Sequence, residues 1–262
     1  MIDIHCHILN GIDDGPKDME QSLSLCRKLY SKGIGGIIAT PHFISDDIYM
    51  PEVAEVKEKV KNLQSELDKE KIDLKLYPGM EAFASGDLVE RIRRNEILTL
   101  NGSRYILIEF SFGTISKYVS DLLFDLQLEG LTPIIAHPER YSSNFINSNQ
   151  LSEFVDKGIL LQINSESITG FHGKRAKNAA FELLKRGMVH FVASDSHGEG
   201  RMLSNLQEIE KTISQHCGVE NAERIIHYNT QQVLEDKEVL NMNAVKKRFI
   251  VTDLLKKLRL DV

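Results

Sequence analysis

Short apolar segments recur along the chain at intervals of about thirty residues, the usual length of a strand followed by a helix. Each contains five to seven residues and is rich in Ile, Leu and Val, so that few polar positions interrupt it. Nearly continuous apolar strands are typical of a parallel sheet that is covered on both faces. We predict seven strands, at residues 2–8, 35–40, 74–78, 105–110, 133–137, 159–164 and 189–194.

Between these strands the apolar residues are spaced as in amphipathic helices. The segment 51–70, for example, places five Val and Leu residues on one helical stripe. We predict helices at residues 18–30, 51–70, 118–127 and 176–184, and a helical stretch over 203–238. Strands that alternate with helices, without an intervening linker, predict one α/β domain over residues 1–240. Seven such units favour a closed or nearly closed barrel, and an open doubly wound sheet is the alternative.

The first strand alternates apolar and polar side chains. Because successive side chains of a strand point to opposite faces, we expect His5 and His7 to lie on one face. Ile4 and Cys6 are expected on the other face. Asp3 would share the histidine face, one step deeper, where it would support the ligands rather than bind an ion itself. Two neighbouring imidazoles suit a divalent metal ion.

Histidine and acidic residues stand at the carboxyl ends of six of the seven predicted strands. They are His5, His7, Asp13, Asp14, His42, Glu81, Glu109, His137, Asp195 and His197. Each has an ordinary structural explanation on its own, but in a parallel barrel these strand ends meet at the functional face. We therefore predict a metal centre there. The remaining histidines, at positions 172, 190, 216 and 227, are expected to be structural or exposed.

The predicted ligand set indicates more than one ion. Four or five imidazoles and four carboxylates exceed what a single ion can bind, and bridging carboxylates allow two or three ions close together. Nitrogen and oxygen ligands without thiolate suit Mn, Fe or Zn better than Ca or Mg. Such a centre activates water and offsets phosphoryl charge. Arg140, beside His137, suits bidentate phosphate binding, and Arg201 in the loop after the last strand could do the same.

Composition excludes several other classes of protein. A net charge of −6 argues against nucleic acid as the main partner. No apolar run is long enough to span a membrane and no leader segment precedes the first strand, so we expect a cytoplasmic protein. The three cysteines, Cys6, Cys26 and Cys217, indicate neither a disulfide framework nor a thiolate zinc site. None has an Arg at the spacing that a cysteine-nucleophile phosphatase needs. The oligomeric state stays open.

The motifs at the strand ends resemble, in their order, those of the polymerase-and-histidinol-phosphatase (PHP) family. They are His5-x-His7, Thr40-Pro41-His42, Gly79-x-Glu81, Ile108-Glu109-Phe110, Ala136-His137-Pro138-Glu139-Arg140 and Ser194-Asp195-x-His197. The segments 1–8, 13–16 and 104–110 resemble one bacterial subgroup, the CpsB-like protein-tyrosine phosphatases of capsule and exopolysaccharide clusters. The resemblance runs from residue 1 to about residue 235.

The resemblance implies a distorted (β/α)₇ TIM-like barrel with three Mn²⁺ ions, for which Fe, Zn or Co are alternatives. One ion would be held by His5, His7, Glu81 and Asp195, a second by Glu81, Glu109 and His137, and a third by Asp14, His42 and His197. Arg140 matches the family's phosphate-binding arginine. Arg201 matches less closely because its loop varies in length.

The implied reaction is hydrolysis of phosphotyrosine on the tail of a bacterial tyrosine autokinase that controls polysaccharide export. We expect a metal-bound hydroxide to attack phosphorus directly, since phenolate, with a pKa of about 10, is a fair leaving group. Glu139 or His42 could supply a proton. The alternatives are a small-molecule phosphatase of the histidinol-phosphate type and a non-catalytic, metal-stabilised module that binds the kinase. The basic and apolar tail, residues 241–262, would be a terminal helix, a loose peptide or a docking segment.

Overall fold

Parallel strands alternate with helices in the computed structural model, which describes residues 1–44, 48–111, 118–146, 149–198 and 205–239. The strands are β1 (Ile2–Cys6), β2 (Gly36–Ala39), β3 (His42–Phe43), β4 (Lys75–Pro78), β5 (Glu81–Phe83), β6 (Tyr105–Glu109), β7 (Thr132–Ala136), β8 (Leu160–Asn164) and β9 (Phe191–Ala193). Every predicted strand is found, and its ends lie within two residues of the predicted ones.

The helices cover most of the predicted helical segments and several others. They are α1 (Met19–Ser31), α2 (Val53–Lys69), α3 (Leu88–Arg93), α4 (Tyr118–Leu128), α5 (Ser143–Ile146), α6 (Asn149–Asp156), α7 (Ser165–Thr169), α8 (Gly173–Lys185), α9 (Leu206–Cys217), α10 (Val219–Glu223) and α11 (Asn229–Leu234). Short 3₁₀ turns lie at Leu100–Gly102 and Pro138–Arg140, and a π-helical turn at Arg224–Tyr228. The described part of the predicted stretch 203–238 is thus divided into several helices, rather than being continuous.

The strands form two parallel sheets, of order β1-β2-β4 and β3-β5-β6-β7-β8-β9. Only residues 40–41 separate β2 from β3, and only residues 79–80 separate β4 from β5. Each pair is therefore one strand that changes sheets, so the nine segments occupy seven strand positions.

The first and last strands lie side by side. Cys6 forms a parallel bridge with Ser196, and the backbone N–H of His7 donates to the carbonyl of Ser196 at 2.9 Å. The N–H of Asp195 donates to the carbonyl of His5 at 2.8 Å. The strand order therefore returns to β1, as in the distorted seven-unit barrel that the resemblance implies. The open doubly wound sheet is not the arrangement found.

Local chemistry explains where the strands change sheets. Pro41 has no backbone N–H for a ladder, which suits the end of β2. A Cβ at Gly79 would lie 2.9 Å from Cγ2 of Ile38 and 3.1 Å from a methyl carbon of Leu100. Only glycine allows the chain between β4 and β5 to pass so close to these side chains.

The strand β1 departs from the predicted alternation. Its register against β2 shifts between Asp3 and Cys6, as at a β-bulge. Ile4 packs in an inner apolar cluster, whereas Cys6 packs in the outer cluster between strands and helices. Asp3 lines a cavity with Leu29 of α1 and Ile209 of α9, on the helix side of the strand. The predictions that Ile4 and Cys6 share a face, and that Asp3 shares the histidine face, are therefore wrong.

The inner cluster closes the barrel at the end opposite to the carboxyl ends of the strands. Val233 and Val239 pack there against residues of the inner cluster. Tyr105, the first residue of β6, donates its hydroxyl hydrogen to the carbonyl of Lys237 at 2.6 Å. The described part of the C-terminal region thus forms the floor of the barrel and leaves the other end open for side chains that do chemistry.

Two predictions fall on parts of the chain that the structure does not cover. Arg201 and the tail 241–262 lie outside the described residues, so the boundary at residue 240 stays a prediction. Within the described ranges, no helix combines the length and the apolar character that crossing a bilayer requires.

Candidate metal centre

The strand ends bring the nine predicted metal ligands into one cluster. These residues are His5, His7, Asp14, His42, Glu81, Glu109, His137, Asp195 and His197. Each has a nitrogen or oxygen within 3.6 Å of one in another member. The cluster contains four overlapping groups whose ligand atoms lie within 4.8 Å of one another: His7, Asp14, His42 and His197; His5, His7 and Glu81; His5, His137 and Asp195; and His42, Glu81 and Glu109.

The cluster runs from a buried floor to an accessible opening. The side chains of His5, His7 and Glu81 are completely buried. His42 is 12% exposed, and the side chain of Asp14 is 50% exposed. A small charged molecule therefore meets the cluster from the side of Asp14.

At the buried end of the cluster, two imidazole nitrogens face each other. Nε2 of His5 lies 3.2 Å from Nε2 of His7, and Oδ1 of Asp195 lies 3.4 Å from the first and 3.6 Å from the second. Nδ1 of His7 lies 2.7 Å from Oδ2 of Asp13. A carboxylate only accepts hydrogen bonds, so Nδ1 carries the hydrogen and neutral His7 presents a lone pair at Nε2. Such a concentration of electron pairs needs a cation or protons between its members.

The raised pKa values of His5 and His7 likewise show that the surrounding carboxylates favour positive charge here. Burial lowers the pKa of His5, but Glu81 and Asp195 outweigh it and raise that pKa to about 9. For His7, burial is again outweighed, here by Asp13 and Glu81, and its pKa is raised well above the usual range. A bound divalent ion would take the place of these protons. The residues at the floor of the cluster therefore fit a metal ion.

The pKa values of the two glutamates of the cluster are shifted in opposite directions. Burial and the nearby Glu81 carboxylate raise the pKa of Glu109 to about 7. Burial also opposes ionisation of Glu81, but His5, His137 and His42 hold its pKa well below the usual range. Oε2 of Glu81 lies 3.0 Å from Nδ1 of His42, and Oε1 lies 3.2 Å from Nε2 of His137. Glu81 thus stands at the middle of the cluster, where it could bridge ions.

Two members of the cluster have an unusual backbone. His137 follows β7 with φ 34° and ψ 54°, and Asp195 follows β9 with φ 51°. Residues other than glycine rarely adopt this left-handed conformation, which costs free energy. Its occurrence at two strand ends in one cluster is typical of a functional site.

Residues that support the cluster were not all identified from the sequence. Asp13 holds His7 and also accepts the backbone N–H of His42 at 3.1 Å. Gln162 and Asn164 of β8 contact His5 and Asp195, at 2.8 Å and 2.7 Å respectively. A signal for these amides existed, since they occupy alternate positions of an apolar strand, as the two histidines of the first segment do.

Asp3 supports the cluster through the backbone. Its Oδ1 accepts the N–H of His5 at 3.3 Å and the N–H of Ser194 at 3.1 Å. It therefore joins β1 to the end of β9 from the helix side. The supporting role predicted for this residue agrees with these contacts, although its predicted face does not.

The two arginines and the two predicted proton donors differ in their placement. Nη1 of Arg140 donates to Oδ2 of Asp195 at 2.9 Å, and its side chain is 25% exposed. Arg201 lies outside the described residues. Glu139 is buried and accepts the N–H of Asn164 and the hydroxyl of Ser167, which ties it to β8 and α7. His42 lies among the ligands.

An aromatic and apolar edge borders the opening. The ring of Tyr49 lies parallel to that of His42, with centroids 5.9 Å apart and planes 15° apart. Ile48 and Met50, on either side of Tyr49, are 59% and 40% exposed. Exposed apolar side chains beside a highly charged cluster suit a ligand that has both an aromatic ring and a charged group.

The other histidines lie apart from the cluster, as predicted. Nδ1 of His190 accepts the backbone N–H of Leu161 at 3.1 Å inside the core. His172 lies 3.5 Å from Glu166. The rings of His216 and Phe181 stack at 3.9 Å.

Similarity to known proteins covers most of the chain. The family profile for capsular polysaccharide synthesis, CpsB/CapC, matches residues 1–235. The chain is 38% identical over 237 residues to the tyrosine-protein phosphatase YwqE of Bacillus subtilis, which covers 88% of this chain and 93% of that protein. It is 34% identical over 241 residues to the tyrosine-protein phosphatase CpsB of Streptococcus agalactiae, which covers 90% of this chain and 99% of that protein.

One solved structure is similar to this chain in both fold and sequence. It comes from work on YwqE of Bacillus subtilis and CpsB of Streptococcus pneumoniae, described as metal-dependent tyrosine phosphatases. It superposes with a TM-score of 0.87 at 36% sequence identity and covers 92% of this chain and 97% of that one. The barrel-like fold expected from the sequence is thereby confirmed.

Proposed function

The chain belongs to the CpsB/CapC family of capsular polysaccharide synthesis proteins, and we propose that it is a metal-dependent phosphatase that removes phosphate from tyrosine side chains of proteins. The family resemblance seen in the sequence is confirmed. The observation that carries the proposal is the nine-residue cluster of imidazoles and carboxylates with Arg140 at its edge. The relatives named above are tyrosine-protein phosphatases, which favours this activity over the small-molecule and non-catalytic alternatives.

We assign the ligands to three ions. His5, His7, Glu81 and Asp195 would hold one, Glu81, Glu109 and His137 a second, and Asp14, His42 and His197 a third. The geometry supports the second set least directly, because Glu109 groups with His42 and Glu81, whereas His137 groups with His5 and Asp195. Nitrogen and oxygen donors without thiolate support Mn²⁺, with Fe, Zn or Co as alternatives.

Divalent ions at these sites would lower the pKa of a water molecule and offset the charge of a phosphoryl group. The protein's own contribution is to orient the substrate. Arg140 presents a guanidinium group, whose planar set of donors matches two oxygens of a phosphate. Its Nη1 now donates to Oδ2 of Asp195, so this side chain already points to the cluster. Arg201 is a second candidate for this role from the sequence alone.

The aromatic edge formed by Ile48, Tyr49 and Met50 would receive the ring of phosphotyrosine. Tyr49 stacks on His42, a proposed ligand, so a substrate ring against Tyr49 would place its phosphate near the cluster. A phenolate with a pKa of about 10 leaves without a strong acid. Glu139 is held by β8 and α7, which makes it a poor proton donor to the substrate. His42 is assigned above to an ion, so we assign neither residue as the proton donor.

We further propose that the substrate is the phosphorylated tail of a tyrosine kinase that controls capsule or exopolysaccharide synthesis. The capsular polysaccharide family supports this assignment. Cytoplasm is the compartment we propose, since Cys6, Cys26 and Cys217 are all unpaired thiols.

The test is phosphate release from a phosphotyrosine peptide and from histidinol phosphate, measured side by side with Mn²⁺ and again after chelation. We expect metal-dependent release mainly from the peptide. Preference for histidinol phosphate would move the protein to small-molecule metabolism and leave the metal centre in place. A full metal complement with no turnover of either substrate would support the non-catalytic alternative.

A further inference from the structure

We infer that Gln162 and Asn164 of β8 are positioning residues that set which nitrogen of His5 faces the metal centre; this inference rests on the metal centre of the proposed function. The strand β8 contributes none of the nine proposed ligands. Its two amide side chains are nevertheless completely buried beside them. Buried amides are costly unless hydrogen bonded, so the partners of these two side chains carry the argument.

The hydrogen bonds of the two amides form a chain with one direction. Nδ2 of Asn164 lies 2.7 Å from Oδ2 of Asp195. A carboxylate cannot donate, so the nitrogen of the Asn164 amide must face it. Oδ1 of Asn164 therefore accepts from Nε2 of Gln162, at 2.9 Å. Oε1 of Gln162 is then left to face Nδ1 of His5, at 2.8 Å.

The last hydrogen bond of this series determines which nitrogen of His5 carries the hydrogen. An amide oxygen only accepts, so Nδ1 of His5 carries the hydrogen and Nε2 presents its lone pair. That nitrogen lies 3.3 Å from Oε1 of Glu81 and 3.4 Å from Oδ1 of Asp195. Asp195 thus dictates, through two amides, the tautomer of a second ligand of the same proposed ion.

The same contacts hold Asp195 when Arg140 leaves it. Both Asn164 and Arg140 donate to Oδ2 of Asp195, at 2.7 Å and 2.9 Å. In the proposed function Arg140 turns towards the phosphate. Asn164 then keeps Oδ2 occupied, so that Oδ1 stays directed to the two histidines.

Two substitutions of Gln162 separate this role from ordinary packing. Gln162→Glu keeps an acceptor for Nδ1 of His5 but replaces the donor to Oδ1 of Asn164 by a second acceptor. Gln162→Leu removes both. The inference predicts that Gln162→Leu weakens Zn²⁺ binding about 10–100-fold, the usual effect of removing the partner of a ligand, and that Gln162→Glu, which keeps the acceptor for His5, loses clearly less. A role in packing alone predicts the reverse order, since a buried charge is costlier than an apolar side chain.

The experiment uses the full chain with Zn²⁺ as a diamagnetic probe. Affinity is measured by competition with a chelator, and ¹⁵N spectra of histidine-labelled protein report which nitrogen of His5 bears hydrogen. We expect hydrogen on Nδ1 in the wild type and in Gln162→Glu. Asn229→Leu is the matched control, because it removes a buried amide that donates to the carbonyl of His190 at 2.8 Å. It should lower stability and leave Zn²⁺ affinity unchanged.

Each outcome decides one point. Unchanged Zn²⁺ affinity in Gln162→Leu, or an equal loss in both variants, would overturn the role of the amides while the metal centre stands. A wild-type protein that does not bind Zn²⁺ would overturn the metal centre and this inference with it. If Gln162→Leu does not fold, Asn164→Asp replaces it: a carboxylate cannot donate to Asp195, so we expect weaker binding there too, and wild-type affinity would again contradict the inference.

Discussion

The carboxylate of Asp13 accepts a hydrogen bond from Nδ1 of His7 at 2.7 Å. The other oxygen of this carboxylate accepts the backbone N–H of Gly15 at 2.9 Å, so a tight turn holds the acid that orients the histidine. A Cβ at Gly15 would lie 2.6 Å from the carbonyl oxygen of His7 and 2.9 Å from Oδ1 of Asp13. The first neighbour is backbone and the second belongs to a carboxylate held by His7 and Gly15, so the turn has no room for a methyl group.

Gly15→Ala should therefore disturb the metal centre from outside it. We expect a loss of about 1–3 kcal/mol in the free energy of unfolding, from overpacking, together with weaker metal binding. Urea denaturation and metal titration measure the two effects. Gly86→Ala is the control, because a Cβ there would meet nothing within 4 Å. Equal behaviour of the two variants would show that the turn adapts.

His42→Ala should remove one ion and most of the activity. His42 lies in the group with Asp14, His7 and His197, and its loss leaves that site without one of its nitrogens. We expect activity to fall about 100-fold or more, as when one electrostatic contact to the transition state is lost. Metal content per chain and phosphate release are the measurements. His227→Ala, at a histidine with a 40% exposed side chain, is the control. Full activity with a full metal content in His42→Ala would contradict the three-ion assignment.

Substitution of Arg140 should lower activity without loss of metal. Arg140→Ala removes the proposed phosphate contact, so we expect kcat/KM to fall about 100–1,000-fold. Arg140→Lys keeps the charge but not the planar pair of donors, so its kcat/KM should lie between those of the wild type and of Arg140→Ala. Arg27→Lys, on the surface of α1, is the matched control. A parallel loss of bound metal in Arg140→Ala would instead assign this arginine to holding Asp195.

Tyr49→Ala should reduce the preference for aromatic substrates. The lost ring contact is expected to lower kcat/KM for a phosphotyrosine peptide by roughly tenfold, which corresponds to an aromatic contact of about 1.4 kcal/mol. The kcat/KM for a small alkyl phosphate should change little. Tyr30→Ala, at an exposed tyrosine of α1, is the control. An equal loss for both substrates would indicate that Tyr49 acts through His42 rather than on the substrate ring.

His190 should make the protein less stable in mild acid. Burial lowers its pKa to about 4, whereas an unfolded chain has a histidine pKa of about 6.5. Below pH 6.5 the unfolded state therefore binds the proton first, and stability is lost as the pH falls towards 4. At pH 5 this loss amounts to about 2 kcal/mol relative to pH 7.

His190→Asn tests this assignment, because an amide oxygen can still accept the N–H of Leu161. The free energies of unfolding of both proteins are measured in urea at pH 7 and pH 5. The difference between the two pH values should be about 2 kcal/mol smaller in the variant. An identical pH dependence would show that His190 is protonated in the folded protein or that it does not titrate in this range.

The amino-acid pattern was sufficient for the strands and for the histidines and carboxylates that gather at their ends. The apolar run 105–110 predicts β6 because both its spacing of apolar residues and its composition are typical of a strand. A parallel barrel brings the carboxyl ends of its strands together regardless of the loop conformations. The bulge at Ile4 could not be predicted, since it depends on how β1 pairs with β2. Neither could the change of sheets at Gly79, because it depends on the approach of Ile38 and Leu100.

The supporting side chains were the harder part of the site to predict. Asp13 and Asp14 are neighbours in sequence, yet Oδ2 of Asp13 binds Nδ1 of His7, whereas Oδ1 of Asp14 lies 3.3 Å from Nε2 of His197. Sequence alone does not distinguish a ligand from the acid that orients one. The alternate positions of Gln162 and Asn164 in an apolar strand mark them as a pair, but not their partners His5 and Asp195, which lie far away in the sequence.

The pairing of β1 with the end of β9 also sets the order of events during synthesis. A ribosome releases His5 and His7 first, and Asp195 and His197 only after nearly the whole described chain has emerged. Until then the two early histidines have no carboxylate from the last strand and no backbone partner in Ser196. In the proposed function, metal loading is therefore a late step, and a truncated chain that ends before β9 would be released without the complete set of proposed ligands.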